Sequence, residues 1–160
     1  MMNHLFATWR MDYVTAPKHE GCIFCDFPVE ERDKERYILY RGAGCFVILN
    51  VYPYNPGHMM VAPYRHTNLY ESLTSEEHAD MSRLASGAVC TLKRAMMPDG
   101  FNIGMNLGKT AGAGFADHLH LHIVPRWNGD NNFMPVMAGT RVVPEALDAT
   151  YDKLKECWGA

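Results

Sequence analysis

Three histidines alternate with aliphatic residues in His118-Leu119-His120-Leu121-His122-Ile123-Val124-Pro125-Arg126. In an extended chain, residues i, i+2 and i+4 share one face. The spacing therefore predicts a stripe of imidazoles on a strand, backed by an apolar stripe of Leu119, Leu121 and Ile123. At a rise of about 3.3 Å per residue, neighbouring rings are expected roughly 6–7 Å apart. Each imidazole can serve as nucleophile, proton donor or metal ligand near neutral pH. Three of the eight histidines fall within five positions, a clustering that a purely structural role explains poorly.

The residues just upstream narrow the chemistry. Asn106-Leu107-Gly108-Lys109-Thr110-Ala111-Gly112-Ala113-Gly114 is glycine-rich. Glycines let backbone N–H groups turn inward and approach an anion closely. Alone, such a loop is a weak signal. Leading straight into an imidazole stripe, it suits phosphoryl or nucleotidyl transfer, which needs matched phosphate charge and an in-line nucleophile. Histidine attacks phosphorus well once its other nitrogen is held by an acceptor. The middle residue, His120, is the natural candidate. No Walker-type Gly-Lys-Ser/Thr sequence occurs, and only Asp117 adjoins the stripe. A carboxylate-held magnesium mechanism is therefore disfavoured.

Cys22-Ile23-Phe24-Cys25 offers two thiolates to a metal. A closed tetrahedral site needs four ligands, so the pair by itself decides little. Redox chemistry would want a thioredoxin-like setting that is lacking here. His4, His19 and His78 receive no role. Trp127 follows the histidine strand directly and could stack on a base or simply pack. The 11 methionines read mostly as core filling.

These groups need a scaffold. Residues 1–36 read as an irregular arm ending in the mixed-sign run Glu30–Arg36, a solvated helix or turn. Tyr37–Arg41 and Cys45–Leu49 flank Gly42-Ala43-Gly44 as a hairpin. Asn50–Gly57 holds Pro53, Pro56 and Gly57 and reads as a loop. Met59–Ala62 is a short buried strand ended by Pro63. Thr74 and Glu77 form a capping box for a helix burying Met81, Leu84, Ala85, Ala88, Leu92 and Ala95. Pro98-Asp99-Gly100 ends that helix, and Phe101–Leu107 reads as a strand. A last helix, with Pro144 in its first turn, is expected to bury Leu147, Tyr151, Leu154 and Trp158. Hairpins without βαβ alternation predict an α+β domain: an antiparallel sheet of about five strands with one long helix and a C-terminal helix packed on it.

The bulk numbers exclude several classes. With 160 residues, 48% hydrophobic and 21% charged, one domain over 1–160 is expected. It divides into the arm 1–36, a core 37–127 and an extension 128–160. A net charge of −3 without a basic cluster argues against nucleic acid as a partner. No apolar run approaches a membrane span, and the first residues do not read as a signal peptide. Five cysteines, an odd number, fit a cytoplasmic protein better than a disulfide framework.

The histidine stretch resembles the signature of the histidine-triad (HIT) superfamily, His-φ-His-φ-His-φ-φ with φ apolar. Two further segments fit it: Pro56-Gly57-His58-Met59-Met60-Val61-Ala62-Pro63-Tyr64-Arg65-His66 and Phe101-Asn102-Ile103-Gly104-Met105-Asn106-Leu107-Gly108. Trp9-Arg10-Met11-Asp12-Tyr13, Ala116-Asp117-His118, Pro125-Arg126-Trp127, Asp130-Asn131-Asn132-Phe133 and the Val142–Trp158 tail extend the likeness. They resemble a bacterial branch related to diadenosine tetraphosphate phosphorylases. The resemblance implies a HIT-like fold and a nucleotidyl-histidine formed at His120, with His122 and His58 beside the α-phosphate. It implies phosphate contacts from Asn106, Gly112, Ala113 and Gly114, a ribose contact at Asn50, and base-pocket walls from Phe46 and Leu49. It also implies a homodimer, no organic cofactor, and a structural zinc held by Cys22, Cys25, His66 and His118. Release by water or phosphate would make the enzyme a hydrolase or a phosphorylase. Many relatives carry Gln or Ser before the triad; here Gly114-Phe115-Ala116 stands there. The leaving group would then fall to Lys109 or Thr110. Phosphoramidate cleavage, a metalloenzyme with triad ligands, and a nucleotide-binding module with little turnover are the competing readings.

Overall fold

In the computed structural model, residues 21–130 and 146–159 are described. Helix α1 (Ile23–Val29) is followed by strands β1 (Ile38–Arg41), β2 (Cys45–Leu49) and β3 (Met59–Pro63). Helix α2 (Ser75–Met96), strand β4 (Gly100–Met105), strand β5 (Leu121–Arg126) and helix α3 (Leu147–Cys157) complete the order. Short 3-10 turns lie at Tyr70–Ser72 and Lys109–Ala111. The five strands form one antiparallel sheet ordered β1-β2-β3-β5-β4. This is the expected α+β architecture.

The sequence reads residues 1–36 as an irregular arm, and the structure corrects this over one stretch. Ile23–Val29 forms a helix with Cys22 at its N-cap. The i, i+3 spacing brings Cys22 and Cys25 to one side of its first turn. The following charge run is a series of turns in which Glu30 accepts from Arg36 at 2.6 Å and Asp33 from Arg41 at 2.7 Å. The segments Trp9–Tyr13 and Asn131–Phe133 and the start at Pro144 lie outside the described residues.

Strand parity divides the core into two layers. Val47, Leu49, Met59, Val61 and Ile123 point to one face, where Met81, Leu84, Ala88 and Leu92 of α2 and Leu154 of α3 cover them. Phe46, Ile48, Met60 and Ala62 point to the other, against Phe24 of α1. The Thr74 capping box starts α2 as expected, and Met97 stops it in the left-handed region at φ 47°. Ala95 is only partly buried. From α3, Tyr151 donates to the Ile38 carbonyl at 3.1 Å, and Trp158 stacks on Tyr40 at 5.2 Å.

Two details fix the loops that carry chemistry. Asp80 accepts from the Gly44 and Cys45 N–H groups at 2.8 and 2.9 Å, pinning the β1–β2 turn to α2. Burial alone would raise its carboxyl; those bonds and Arg83 hold it below the ordinary value. Gly57, at φ +77°, sits so close to α2 that a Cβ would lie 2.7 Å from Met96 Sδ and 2.9 Å from Leu92 Cδ2. Only glycine satisfies both conditions and still delivers His58 to the start of β3.

Candidate active site

Sheet register assembles the site. Met60 of β3 pairs with His122 of β5, and His122 pairs in turn with Gly104 of β4. His58, two residues before Met60, shares its face and is the diagonal neighbour of His122. Regular pairing begins only at Leu121, so His118 and His120 enter β5 from an extended lead-in rather than from within the strand. The His120 and His122 rings are 4.7 Å apart, closer than an ideal strand predicts, with planes at 77°. Alternation still holds: Leu119 and Ile123 are buried in the helix-side core.

The hydrogen bonds dictate the tautomers. A carbonyl can only accept, so the 2.9 Å contact from His120 Nδ1 to the His118 oxygen places the proton on Nδ1. The lone pair of His120 is then on Nε2. The Tyr54 backbone N–H donates to His58 Nδ1 at 3.1 Å, and Asn50 Nδ2 approaches the same nitrogen at 3.3 Å. His58 therefore carries its proton on Nε2 and donates it to His122 Nδ1 at 3.0 Å. His122 is left with an Nε2–H. One ring presents a lone pair and its neighbour an N–H, an arrangement suited to pairing a nucleophile with a donor to an anion.

Burial favours the neutral form of the His120 and His122 rings. It pushes the His120 pKa down against the help of the His118 carbonyl, and it lowers His122 to about 4, assisted by His120. The sign of the pH dependence follows. Unfolded His122 titrates near 6.5, so between 6.5 and 4 the unfolded chain takes up a proton that the folded chain refuses. Its share of stability is full above 6.5 and is lost as pH falls toward 4, by up to about 3 kcal/mol at 1.36 kcal/mol per unit. Urea midpoints at pH 7 and 4.5 for wild type and His122→Gln measure this. The variant is expected to show the shallower acid loss; equal losses would refute it.

A second cluster lies next to the first. His118 Nδ1 is 3.2 Å from Cys22 Sγ, 3.5 Å from Cys25 Sγ and 3.2 Å from His66 Nδ1; Cys25 Sγ is 3.3 Å from His66 Nδ1. All four ligand atoms fall within 4.8 Å of one another. A tetrahedral ion with bonds of about 2.0–2.3 Å sets its ligands roughly 3.3–3.8 Å apart, so these four residues can hold a metal. His118 donates Nε2–H to the Pro63 carbonyl at 2.9 Å, which turns its Nδ1 lone pair toward the cluster. Burial, then Cys22 and Asp26, raise the Cys25 thiol to about 11, so a cation in the cluster would have to displace its proton. Among the described residues this is the one group of three or more His, Cys, Asp or Glu converging as metal ligands. The three triad histidines do not converge on a single point: His118 faces the cysteines while His122 faces His58.

The remaining expected residues have varied placements. Asn106 lines a cavity of about 380 Å³ together with Tyr54, Asn102, Gly104, His122 and Arg126. Gly112 and Gly114 are exposed and Ala113 is half-buried; Gly112 at φ +88° caps the Lys109–Ala111 turn. Lys109 and Thr110 are exposed. Asn50 is half-buried, holding His58 and accepting from Tyr52 N–H at 2.9 Å. Phe46 lies on the triad side. Leu49 does not: odd parity turns it into the helix-side core, 1% exposed, which removes it as a base-pocket wall. Ile48 is the β2 neighbour on the triad side. Trp127 donates to the Met96 carbonyl at 3.3 Å, anchoring it on the end of α2. Phe115 packs edge-on against Phe24 at 5.8 Å, which explains an aromatic at that position by packing.

Sequence reasoning missed three residues. Phe24 stacks on His120 with centroids 4.9 Å apart and planes at 25°. Tyr54 lies 4.8 Å from His58, and Asn55 Nδ2 donates to the Pro125 carbonyl and to Asp130 at 2.9 and 2.8 Å. Phe24 between two cysteines was a visible oddity; the loop pair carried no signal beyond turn composition.

Comparison with known proteins agrees with this geometry. The HIT domain model matches residues 31–129, and the chain belongs to the HIT family. It is 44% identical over 126 residues to an AP-4-A phosphorylase of Mycobacterium tuberculosis, covering 79% of this chain and 65% of that protein. It thus spans just under two thirds of that relative's length. An uncharacterized HIT-like protein of Saccharolobus solfataricus is 34% identical, over 71% of this chain and 79% of its own. Among solved structures, a histidine triad nucleotide-binding protein of Sulfolobus tokodaii superposes with TM-score 0.69 at 28% identity, covering 85% of this chain and 91% of its own. A zinc-bound histidine triad family protein of Mycobacterium smegmatis gives 0.68 at 25% identity, covering 86% and 92%. No helix among the described residues is long and apolar enough to cross a membrane.

Proposed function

We propose that this chain is a nucleotide phosphoanhydride hydrolase or phosphorylase acting at the α-phosphate of adenine (di)nucleotides through a nucleotidyl-histidine at His120. The observation that carries the reading is the His120 tautomer, with Nδ1–H committed to the His118 carbonyl and the lone pair on Nε2. That lone pair forms the N–P bond while the P–O bond to the departing phosphate chain breaks, its electrons leaving with the oxygen. The His122 Nε2–H donates to a phosphate oxygen as charge develops, and His58 holds His122 in register. Water or inorganic phosphate then forms a new P–O bond, and the N–P pair returns to Nε2.

Asn106 and the Gly112–Gly114 backbone serve the phosphates, Asn50 the ribose, and Phe46 the base. The groove past His122 gives the departing chain room. The adenine and polyphosphate assignments draw on the likeness to the mycobacterial AP-4-A phosphorylase. Cys22, Cys25, His66 and His118 hold a zinc ion, whose chemistry here is to tie α1 to the sheet, a role supported by the donor set and the zinc-bound relative. The reading includes a homodimer formed through the long helix α2 and the neighbouring strand β4, where Ile103 is an exposed large apolar residue.

A substrate panel tests the function: diadenosine polyphosphates of increasing length and adenosine phosphoramidate, each with and without inorganic phosphate. Labelled ADP among the products only when phosphate is present identifies a phosphorylase, and AMP without it a hydrolase. No turnover of any member alongside tight nucleotide binding would overturn the reading in favour of a binding module.

A further inference from the structure

The cysteine cluster and the triad share more than proximity. Phe24 is the residue between Cys22 and Cys25, and it is 1% exposed. Its ring lies nearly parallel to His120, at 4.9 Å and 25°, and 5.2 Å from His118. It also meets Phe46 at 6.5 Å, tilted, and Phe115 at 5.8 Å, edge-on. His118 is a second link. Its side chain belongs to the cysteine cluster, and its carbonyl accepts the His120 Nδ1–H. The His120 imidazole is therefore gripped twice, over its face by Phe24 and at one edge by His118, and both grips are attached to the same four-residue cluster.

We propose that Phe24 is the positioning residue of His120, and that the Cys22–Cys25–His66–His118 cluster acts through it and through the His118 carbonyl to fix the plane and tautomer of that ring. A single hydrogen bond fixes one atom of an imidazole but leaves the ring free to pivot about it. A flat ring stacked on one face removes that freedom. Helix α1 is short, seven residues, and its two cysteines are its attachments to the cluster. Releasing the cluster frees Phe24 and the His118 backbone together. His120 then samples both tautomers and ring orientations without any change in His120 itself.

The catalytic consequence rests on the proposed function above; the structural claim does not. The test therefore reads the ring directly. In wild-type protein carrying zinc, ¹⁵N–¹H correlation spectra at pH 7.5 are expected to show a single Nδ1–H tautomer for His120. Its ring protons should be displaced upfield by Phe24. Stripping the metal with a chelator should average the two nitrogens and abolish the displacement, while signals of β1 and β2 persist. Phe24→Leu should keep its zinc and lower kcat for diadenosine tetraphosphate at least tenfold with KM changed less than threefold. Phe24→Tyr, which keeps the ring, should recover most of the rate.

A wild-type spectrum without the ring-current displacement overturns the stacking. An unchanged His120 signature after zinc removal overturns the coupling. Wild-type kcat in Phe24→Leu with an averaged tautomer separates ring order from rate and overturns the catalytic part. If Phe24→Leu fails to fold, the wild-type spectra with and without zinc still decide. Absence of turnover in wild type would defeat the proposed function alone, leaving the ring measurements to stand or fall by themselves.

Discussion

His120→Ala is expected to abolish nucleotide cleavage while leaving nucleotide affinity and fold largely intact; under the proposed mechanism this is the largest effect of any single substitution. That mechanism loses its nucleophile outright, and neither neighbour is placed to replace it. His122 presents an N–H rather than a lone pair, and His58 has its two nitrogens committed to Tyr54 and His122. Losing a covalent nucleophile from a preorganised site costs on the order of 10⁴-fold or more in kcat. The folding cost is smaller, because the site loses one ring beside Phe24 and not a layer of the core. Rapid-quench experiments with labelled diadenosine tetraphosphate provide the measurement. Wild type should yield acid-labile, protein-bound label within the first turnover, and the variant none. Label captured by the variant would mean that another residue attacks.

The second large effect is on stability. Cys25→Ser should remove zinc from the cluster, since a neutral hydroxyl cannot replace a thiolate. Cys22, Cys25, His66 and His118 come from positions far apart in sequence, so a bound ion would act as a cross-link between α1, the chain after β3 and the lead-in to β5. Losing a native cross-link costs about 2–5 kcal/mol, and a loss of that size is expected. At roughly 2–4 °C per kcal/mol for a domain of this size, the melting temperature should fall by around 10 °C. Calorimetry with metal content measured on the same samples decides it. A variant that melts with wild type, and wild type that is indifferent to a chelator, would show that the four residues hold no ion. Cys45→Ser provides the contrast: Cys45 is buried in the helix-side core, away from the cluster, and its replacement should leave metal content untouched.

How much of this was legible beforehand varied with the range of the interaction. The capping box at Thr74, the β1–β2 hairpin and the strand order of polar and apolar faces were readable because each depends on neighbours within a few residues. The pairing of Met60 with His122 was not, because register between segments sixty residues apart is a property of the packed sheet. Leu49 shows the consequence. The family resemblance implies it as a base-pocket wall, but period-two alternation turns it to the α2 face. The helical state of Ile23–Val29 escaped notice because Pro28 and a seven-residue length give little periodicity to read. The aromatic at position 115 is explained only by its edge-on contact with Phe24, a residue far away in sequence. The division of labour among the three histidines was hidden in carbonyls and ring nitrogens that no residue pattern displays.

The pairing of Gly104 with His122 has a bearing on how such a protein could be diversified. Gly104 lies on the edge strand, borders the cavity, and a Cβ placed there would meet nothing within 4 Å. The backbone asks for no glycine at that point, and the fold would accept a side chain. Any such side chain would nevertheless roof the groove beside His122. Position 104 is thus a dial, adjustable from outside the core: alanine, serine or a larger residue would narrow that groove while the histidines stay where the inner strands hold them. Under the proposed function, room for the departing chain and the capacity to fold are written on different strands, so one can drift while the other is kept.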